Sequence, residues 1–398
     1  MKKLIFIIMS ILLSSMVLAT APVIDTVTLT TTDPATNLTT ENLTSSHTFH
    51  DDDGNDVTFV YNWYKDDVLN ATTLIEDGLV AYWPMNDDAD DYYGVEDCTL
   101  GGTPVATTIG KVDGGYVFQN GGADSLICGS SAVLDITGSL SFSMWIYPTS
   151  LDGTRLRIMY KYTTGETAPA NVQYYLEIAD TDEIISGYEY STGLDVQLKT
   201  TTSPISSLNE WYHLVITREV GATTTLTLYV NGVEEKVLSG QVNPSGGEDS
   251  VLTIGSISTY GSFIGTQDEA MLYDRVLSAD EVGQIYYGSK WQGNVTDSSR
   301  TTIGDTWILG VTGYDSTEIG SEKNSTGVLI LALPLPRIIA SWWNAVTNSL
   351  RASLNENGLL YLNGTMIIES ITGTYSNDEA YLCVYDNGSI FAKDSVCV

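Results

Sequence analysis

The run Phe59-Val60-Tyr61-Asn62-Trp63-Tyr64 constrains this chain more than any other feature. Phe59, Tyr61 and Trp63 alternate with Val60, Asn62 and Tyr64, the period of a half-buried strand. The acidic turn Asp51-Asp52-Asp53-Gly54-Asn55-Asp56 precedes it, as in the middle of a small β-sandwich. A lone strand cannot cover its own apolar face, so several others are required. The next residues, LNATTLIEDGLVAYWPMND, read instead as the start of another unit. The partners of Trp63 must come from elsewhere in the chain.

Most of the remainder also reads as short strands. Threonine, valine, isoleucine and tyrosine dominate, and Gly, Asn and Asp punctuate the runs. SLSFSMWIY (139–147) places Leu140, Phe142, Met144 and Ile146 on one face. EWYHLVITR (210–218) alternates Tyr212, Leu214 and Ile216 with Trp211, His213 and Val215. TLTLYVNGVEEKVL (225–238) predicts a hairpin, because Asn231-Gly232 suits a type I′ turn. One helix is signalled after Leu277. Ser278 is its N-cap and Glu281 the reciprocal partner of a capping box, with Val282, Ile285 and Tyr286 facing a core.

These pieces, in this order, resemble laminin G-like, concanavalin A-like jelly rolls. The resemblance rests on DGLVAYWPMND (77–87), GKVDGGYVFQNGGADSLICG (110–129), GSLSFSMWIYPTS (138–150), the W-x-H strand with its YVNG hairpin (209–237), and GTQDEAMLYDRVLSADEVGQIYYG (265–288). The last segment also resembles the corresponding stretch of pentraxins. The resemblance implies a two-sheet jelly roll over 77–289, large enough to bury a core without staples. The flanks complete the interrupted sandwich. Residues 22–75 resemble the first half, and 291–331 the second half, of an immunoglobulin-like or PKD-like domain, with Trp307, Leu309 and Val311 alternating in the later part. The expected fold is therefore all-β: a jelly roll inserted into a loop of a small immunoglobulin-like sandwich. Residues 332–348 read as a connector with a short helical turn. Residues 349–398 read as β-hairpin repeats, because 352–366 aligns with 382–396 and both carry Asn-Gly, at 357–358 and 387–388.

The chain opens on MKKLIFIIMSILLSSMVLA, a basic, apolar, small-residue pattern that reads as a signal peptide over 1–19. A retained anchor is the other reading, although the apolar run is short for a spanning helix. No later segment reads as transmembrane. A secreted or cell-surface protein is expected. Fifty acidic against 17 basic residues leave a net charge of −33, which argues against nucleic acid as a partner. In an exported chain, four cysteines favour disulfides. Cys98–Cys128 and Cys383–Cys397 each lie within one unit, and other pairings stay open. Seven glycosylation sequons occur, at Asn37, Asn42, Asn70, Asn294, Asn324, Asn363 and Asn387, none of them between 71 and 293.

Chemistry is sparse. No G-x-S-x-G, H-E-x-x-H or phosphate loop occurs, and no strand carries the paired carboxylates of a glycosidase. A non-enzymatic protein is expected. His47 and His50 would point to opposite faces of a strand, and His213 reads as a packed strand residue. Asp51, Asp53, Asn55 and Asp56 carry oxygen ligands around a glycine, which makes the turn either a calcium loop or a solvated bend. The laminin G-like resemblance implies calcium near Asp87, Asp88, Asn120, Asp124, Asp268 and Glu269. The chain departs from the pentraxin pattern at Ser256-Ile257-Ser258, so a double calcium site is not implied. Tyr162, Tyr174, Tyr175, Tyr188, Tyr190 and Tyr260 are aromatic candidates for a recognition face, half of them in the core by alternation. The expected function is recognition or adhesion, the jelly roll binding a glycan or a surface protein. The alternative is a structural envelope or fibre subunit, self-assembling through its C-terminal hairpins.

Overall fold

The computed structural model describes residues 19–33, 37–119, 124–151, 155–163, 170–191, 194–245, 250–256, 261–315 and 317–331. Beyond 331 it describes only the backbones of six strands, Ile338–Asn344, Ser349–Leu354, Leu360–Leu362, Thr365–Ile368, Ala380–Val384 and Ile390–Lys393. Most of the signal-like leader, Asn120, Asn363, Asn387, Cys397 and the side chain of Cys383 lie outside the described residues.

The fold is all-β, with two large antiparallel sheets face to face. Leu140–Pro148 lies between Tyr212–Val220 and Gly265–Tyr273 in an eight-stranded sheet. Its alternation sends Leu140, Phe142, Met144 and Ile146 inward to join Tyr212, Leu214 and Ile216 in the main core. The opposing seven-stranded sheet runs Leu194–Lys199, Ile184–Ser191, Ala170–Ile178, Leu156–Thr163, Val251–Ile254, Ser125–Ile127 and Thr99–Gly101. It contributes Leu156, Ile158, Leu176, Ile178, Ile184 and Leu252 to the same core. Asn231 and Gly232 adopt φ of 52° and 79°, so Val230 pairs with Val233 across the expected two-residue turn.

The outer face of the eight-stranded sheet is covered. Val215, Tyr229, Met271 and Tyr273 pack there against Val282 and Ile285 of helix α1, Ala279–Ser289. The helix begins with the predicted capping box between Ser278 and Glu281. Val60 and Tyr314 close the same cluster from the smaller unit. Gly288 makes that approach possible: a Cβ there would stand 2.0 Å from the Thr72 carbonyl oxygen.

The smaller unit draws its strands from both flanks. Thr58–Lys65 pairs with Thr306–Tyr314 in a five-stranded sheet, Leu309 opposite Trp63. Val23–Thr31, Leu43–His50 and Val295–Thr296 form a three-stranded sheet facing it. Ile24, Leu29, Leu43, Trp63, Trp307, Leu309 and Val328 share one core, with the two tryptophan rings edge-to-face at 6.4 Å.

The C-terminal region departs from the sequence reading. Ile338–Asn344, expected in a connector with a helical turn, is a strand paired with Ser349–Leu354. Ser349–Leu354 also pairs with Ala380–Val384, which in turn pairs with Ile390–Lys393. In the first repeat Leu360–Leu362 pairs with Thr365–Ile368, and the Asn-Gly residues at 357–358 lie outside the described residues. Among the described residues, no helix is long and apolar enough to cross a membrane.

Candidate functional site

The outer face of the seven-stranded sheet differs from that of its partner. Its apolar cluster, Tyr160, Val172, Tyr175, Ala179 and Ile185 with Tyr162 beside it, comes wholly from neighbouring strands of the same sheet. On Ala170–Ile178, alternation sends Tyr174, Leu176 and Ile178 into the core and turns Tyr175 and Glu177 the other way. On Leu156–Thr163 a register shift between Arg157 and Met159 puts Ile158 and Met159 both inward and returns Tyr160 to the outer face. Tyr160 then stands opposite Tyr175, with the rings stacked at 4.9 Å. Arg157 stands opposite Glu177.

Glu177 is fully buried and both its oxygens are engaged. Oε1 accepts from Arg155 Nη1 at 2.7 Å, while Arg157 Nη1 and the Tyr160 hydroxyl both close on Oε2. The Arg157 guanidinium also lies 4.7 Å from the Tyr160 ring centroid. Burial pushes the Tyr160 and Tyr175 hydroxyls well above the usual phenol range, so both stay protonated. Arg155 leaves 46% of its side chain exposed at the border of the cluster. The result is a buried, stacked aromatic pair flanked by guanidinium donors, with a carboxylate that fixes both arginines. Sequence reasoning named Tyr162 and Tyr175 but missed Arg155, Arg157, Tyr160 and Glu177. The available signal was Arg-Leu-Arg, two of 17 basic residues at the entry to one strand. Of the other aromatic candidates, Tyr174 and Tyr188 are core residues, Tyr190 packs against that core, and Tyr260 lies outside the described residues.

The acids expected near a jelly-roll calcium do not assemble. Among the described residues, no three of Asp87, Asp88, Asp124, Asp268 and Glu269 converge as ligands. They sit in three separate places, a bend at 87–88, the lead into Ser125–Ile127 and the strand Gly265–Tyr273, and serve local structure. Asp124, leading into the seven-stranded sheet, accepts from the Thr103 and Gln119 amides at 2.8 and 3.0 Å. Asp268, within the eight-stranded sheet, accepts from the amides of Lys111, Val112 and Glu269. Glu269 accepts from the Tyr82 hydroxyl, and Asp88 caps Asp90 and receives the Tyr92 hydroxyl. Asp87 is exposed. Burial raises Asp268 and Glu269 well above the carboxylate range.

The acidic turn of the smaller unit does converge, though with a different membership. Asp51 and Asp53 meet Asp315, their ligand oxygens all within 4.8 Å of one another. Asn55 is exposed, its amide donating to Asp51 and its side chain reaching Thr317; Asp56 is exposed and outside the group. Of the two strand histidines, His50 bonds Asp25 at 3.0 Å, whereas His47 lies 4.3 Å from the Phe59 ring. Among the sequons, Asn42 and Asn324 are exposed. Asn37, Asn70 and Asn294 are half-buried, and the side-chain oxygens of Asn37 and Asn70 accept internal hydrogen bonds.

His213 is a packed strand residue under helix α1. Its Nε2 shares a 2.8 Å hydrogen bond with Ser143 Oγ, and its ring lies 5.0 Å from Trp145. Burial, with help from the Lys111 charge, lowers its pKa to about 3. The unfolded chain binds this proton near pH 6.5 and the folded one near 3, so stability is complete above 6.5 and falls with pH below it. Between pH 6 and 4 the contribution is about 1.4 kcal/mol per pH unit. Unfolding free energies of the native chain and a His213→Gln variant should therefore converge as pH falls through this window. A constant difference would show that folding leaves the His213 pKa unchanged.

Solved structures similar to this chain include domain 4 of AbnA, a GH43 extracellular arabinanase from Geobacillus stearothermophilus in complex with arabinotriose. It is 17% identical, with a TM-score of 0.41, 52% of this chain and 98% of that one covered. The binding domain of Paraclostridial Mosquitocidal Protein 1 is 14% identical, with a TM-score of 0.43, covering 81% and 73%. Trypanosoma rangeli sialidase is 16% identical, with a TM-score of 0.43, covering 56% of this chain and 34% of the sialidase. No curated protein matches the sequence. Residues 120–283, within the large two-sheet unit, match the family described as the concanavalin A-like lectin/glucanases superfamily, in keeping with the all-β jelly-roll fold of that unit.

Proposed function

We propose that this chain is a secreted or cell-surface, non-enzymatic recognition protein whose jelly roll binds carbohydrate on the outer face of its seven-stranded sheet. Residues 77–289 act as the recognition module, and the sandwich built from 22–75 and 291–331 is its mount. One observation carries the reading: stacked Tyr160 and Tyr175 lie beside the Arg155–Glu177–Arg157 group on a face whose apolar cluster draws on no other layer. Tyr160 and Tyr175 are each only 4% exposed and form a rigid floor, so the partly exposed Tyr162 ring and Arg155 guanidinium at its border are the groups a sugar's apolar face and hydroxyls would meet. The opposite outer face is closed by helix α1 and the sandwich. With both Glu177 oxygens engaged, the group suits binding rather than acid–base chemistry.

A glycan array followed by titration tests this. Arg155 is half exposed, so Arg155→Ala should leave the fold intact and weaken glycan binding by roughly ten- to a hundredfold, the value of a charged hydrogen bond. No binding to neutral or acidic glycans by the native chain would overturn the reading. Concentration-dependent self-association in its place would favour a structural subunit.

A further inference from the structure

We propose that Asp51, Asp53 and Asp315 form a calcium site that clamps together the two halves of the small sandwich. It is independent of the recognition face. Thr58 pairs with Tyr314 at one end of the central strand pair. The acidic turn leads into the first of these strands and Asp315 directly follows the second, so antiparallel pairing delivers all three carboxylates to the same end of the sheet. Their ligand oxygens lie within 4.8 Å of one another.

The hydrogen bonding leaves oxygens for an ion. Asp315 is 1% exposed. Its Oδ1 accepts from the Thr317 amide, the Thr317 hydroxyl and the Glu318 amide at 2.6, 2.7 and 2.6 Å, while its Oδ2 is buried with no partner. Asp51 repeats the pattern. Its Oδ2 accepts from the Gly54 and Asn55 amides at 3.1 and 3.0 Å, its buried Oδ1 meets no N–H donor, and the neighbouring carboxylate of Asp53 is the side chain's other hydrogen-bonding neighbour. Asp53 Oδ2 accepts from the Thr20 nitrogen at 2.8 Å, which becomes the terminal ammonium once a 1–19 leader is removed and pairs with Asp53 alone, leaving the buried oxygens of Asp51 and Asp315 for the ion. Each turn thus orients its carboxylate and leaves a buried oxygen uncompensated, which is unfavourable unless a cation or donor meets it. None of the ion pairs among the described residues involves these three acids. Hard carboxylate oxygens from separate turns, in irregular geometry, suit calcium better than magnesium, which demands a near-ideal octahedron. Tyr92, Tyr93 and Gly94 of the jelly roll line a cavity with Asp315 and Thr317, so the ion would also brace the junction between the units.

Calorimetric titration of the full chain with calcium at physiological salt, magnesium as competitor, tests this. One site is expected, with a dissociation constant of about 0.1–1 mM, as in extracellular modules. It should raise the Tm. Asp315→Asn should weaken it at least tenfold. Because Asp315 is buried, the half-buried Asp53→Asn is the companion variant, with the same loss expected. Asp87→Asn, an exposed jelly-roll acid, should bind as the native chain does. The proposal is overturned if 10 mM calcium leaves the Tm unchanged, if Asp53→Asn binds calcium normally, or if Asp87→Asn abolishes the site.

Discussion

Replacing Cys98 and Cys128 together by alanine lowers the unfolding free energy by about 3–4 kcal/mol, the chain-entropy value for a loop of this length. The bonded cysteines are 30 residues apart in sequence. The loop they close crosses the molecule. Cys98 leads into Thr99–Gly101 and Cys128 follows Ser125–Ile127, adjacent strands of the seven-stranded sheet. Between them the chain visits the eight-stranded sheet as Val105–Thr107 and Gly115–Phe118. The bond therefore closes an excursion that joins both layers, and without it the unfolded chain regains the freedom of that whole loop. Both cysteines are buried in the main core, and alanine adds no polar group there. Denaturant titration checks the prediction: the midpoint should fall with the slope nearly unchanged. A loss under 1 kcal/mol would mean that strand pairing alone already restrains the loop.

The elements legible in the sequence were those governed by local rules. Leu140, Phe142, Met144 and Ile146 follow uninterrupted alternation and all reach the core. The capping box at Ser278 and the turn at Asn231-Gly232 depend on contacts a few residues apart. The outer-face cluster of Tyr160 and Tyr175 was hidden by one irregularity. Strict alternation in Leu156–Thr163 would place Met159 outside with Arg157 and bury Tyr160. The register shift after Arg157 reverses this, and nothing in Arg-Ile-Met-Tyr signals it. A second shift, between Ser143 and Trp145 against Gly265–Tyr273, accompanies Glu269 at φ 55° and leaves Asp268 and Glu269 both buried. Acids that resembled a ligand set are thus absorbed into the sheet. Asp315 was missed for another reason. Its partners Asp51 and Asp53 lie beyond the inserted jelly roll, and a carboxylate cluster made by strand pairing leaves no spacing pattern in the chain.

Trp63→Ala should cost about 3–5 kcal/mol, and the loss should fall on the small sandwich. Trp63 is fully buried, packs edge-to-face on Trp307, and donates its indole N–H to the Gly293 carbonyl at 2.9 Å. That last contact ties the first flank to the residues just after helix α1, so alanine leaves a cavity and also an unpaired carbonyl where the chain re-enters the sandwich. Trp63 has no place in the main core, which is built from the two large sheets. Unfolding should therefore separate into two transitions, the sandwich first, while glycan binding by the jelly roll persists through the first. Trp307→Ala should produce the same split, because both rings fill one space. A double variant should cost less than the sum of the singles, since the first substitution already removes the ring contact. If Trp63→Ala instead lowers one cooperative transition, helix α1 and the Val60–Tyr314 contact couple the units into a single folding unit. Excising 77–289 with a short linker, retaining Trp63 and Trp307, then decides the matter. A folded remnant means the flanks hold a domain of their own, whereas an unfolded one means that the sandwich needs the jelly roll to stand.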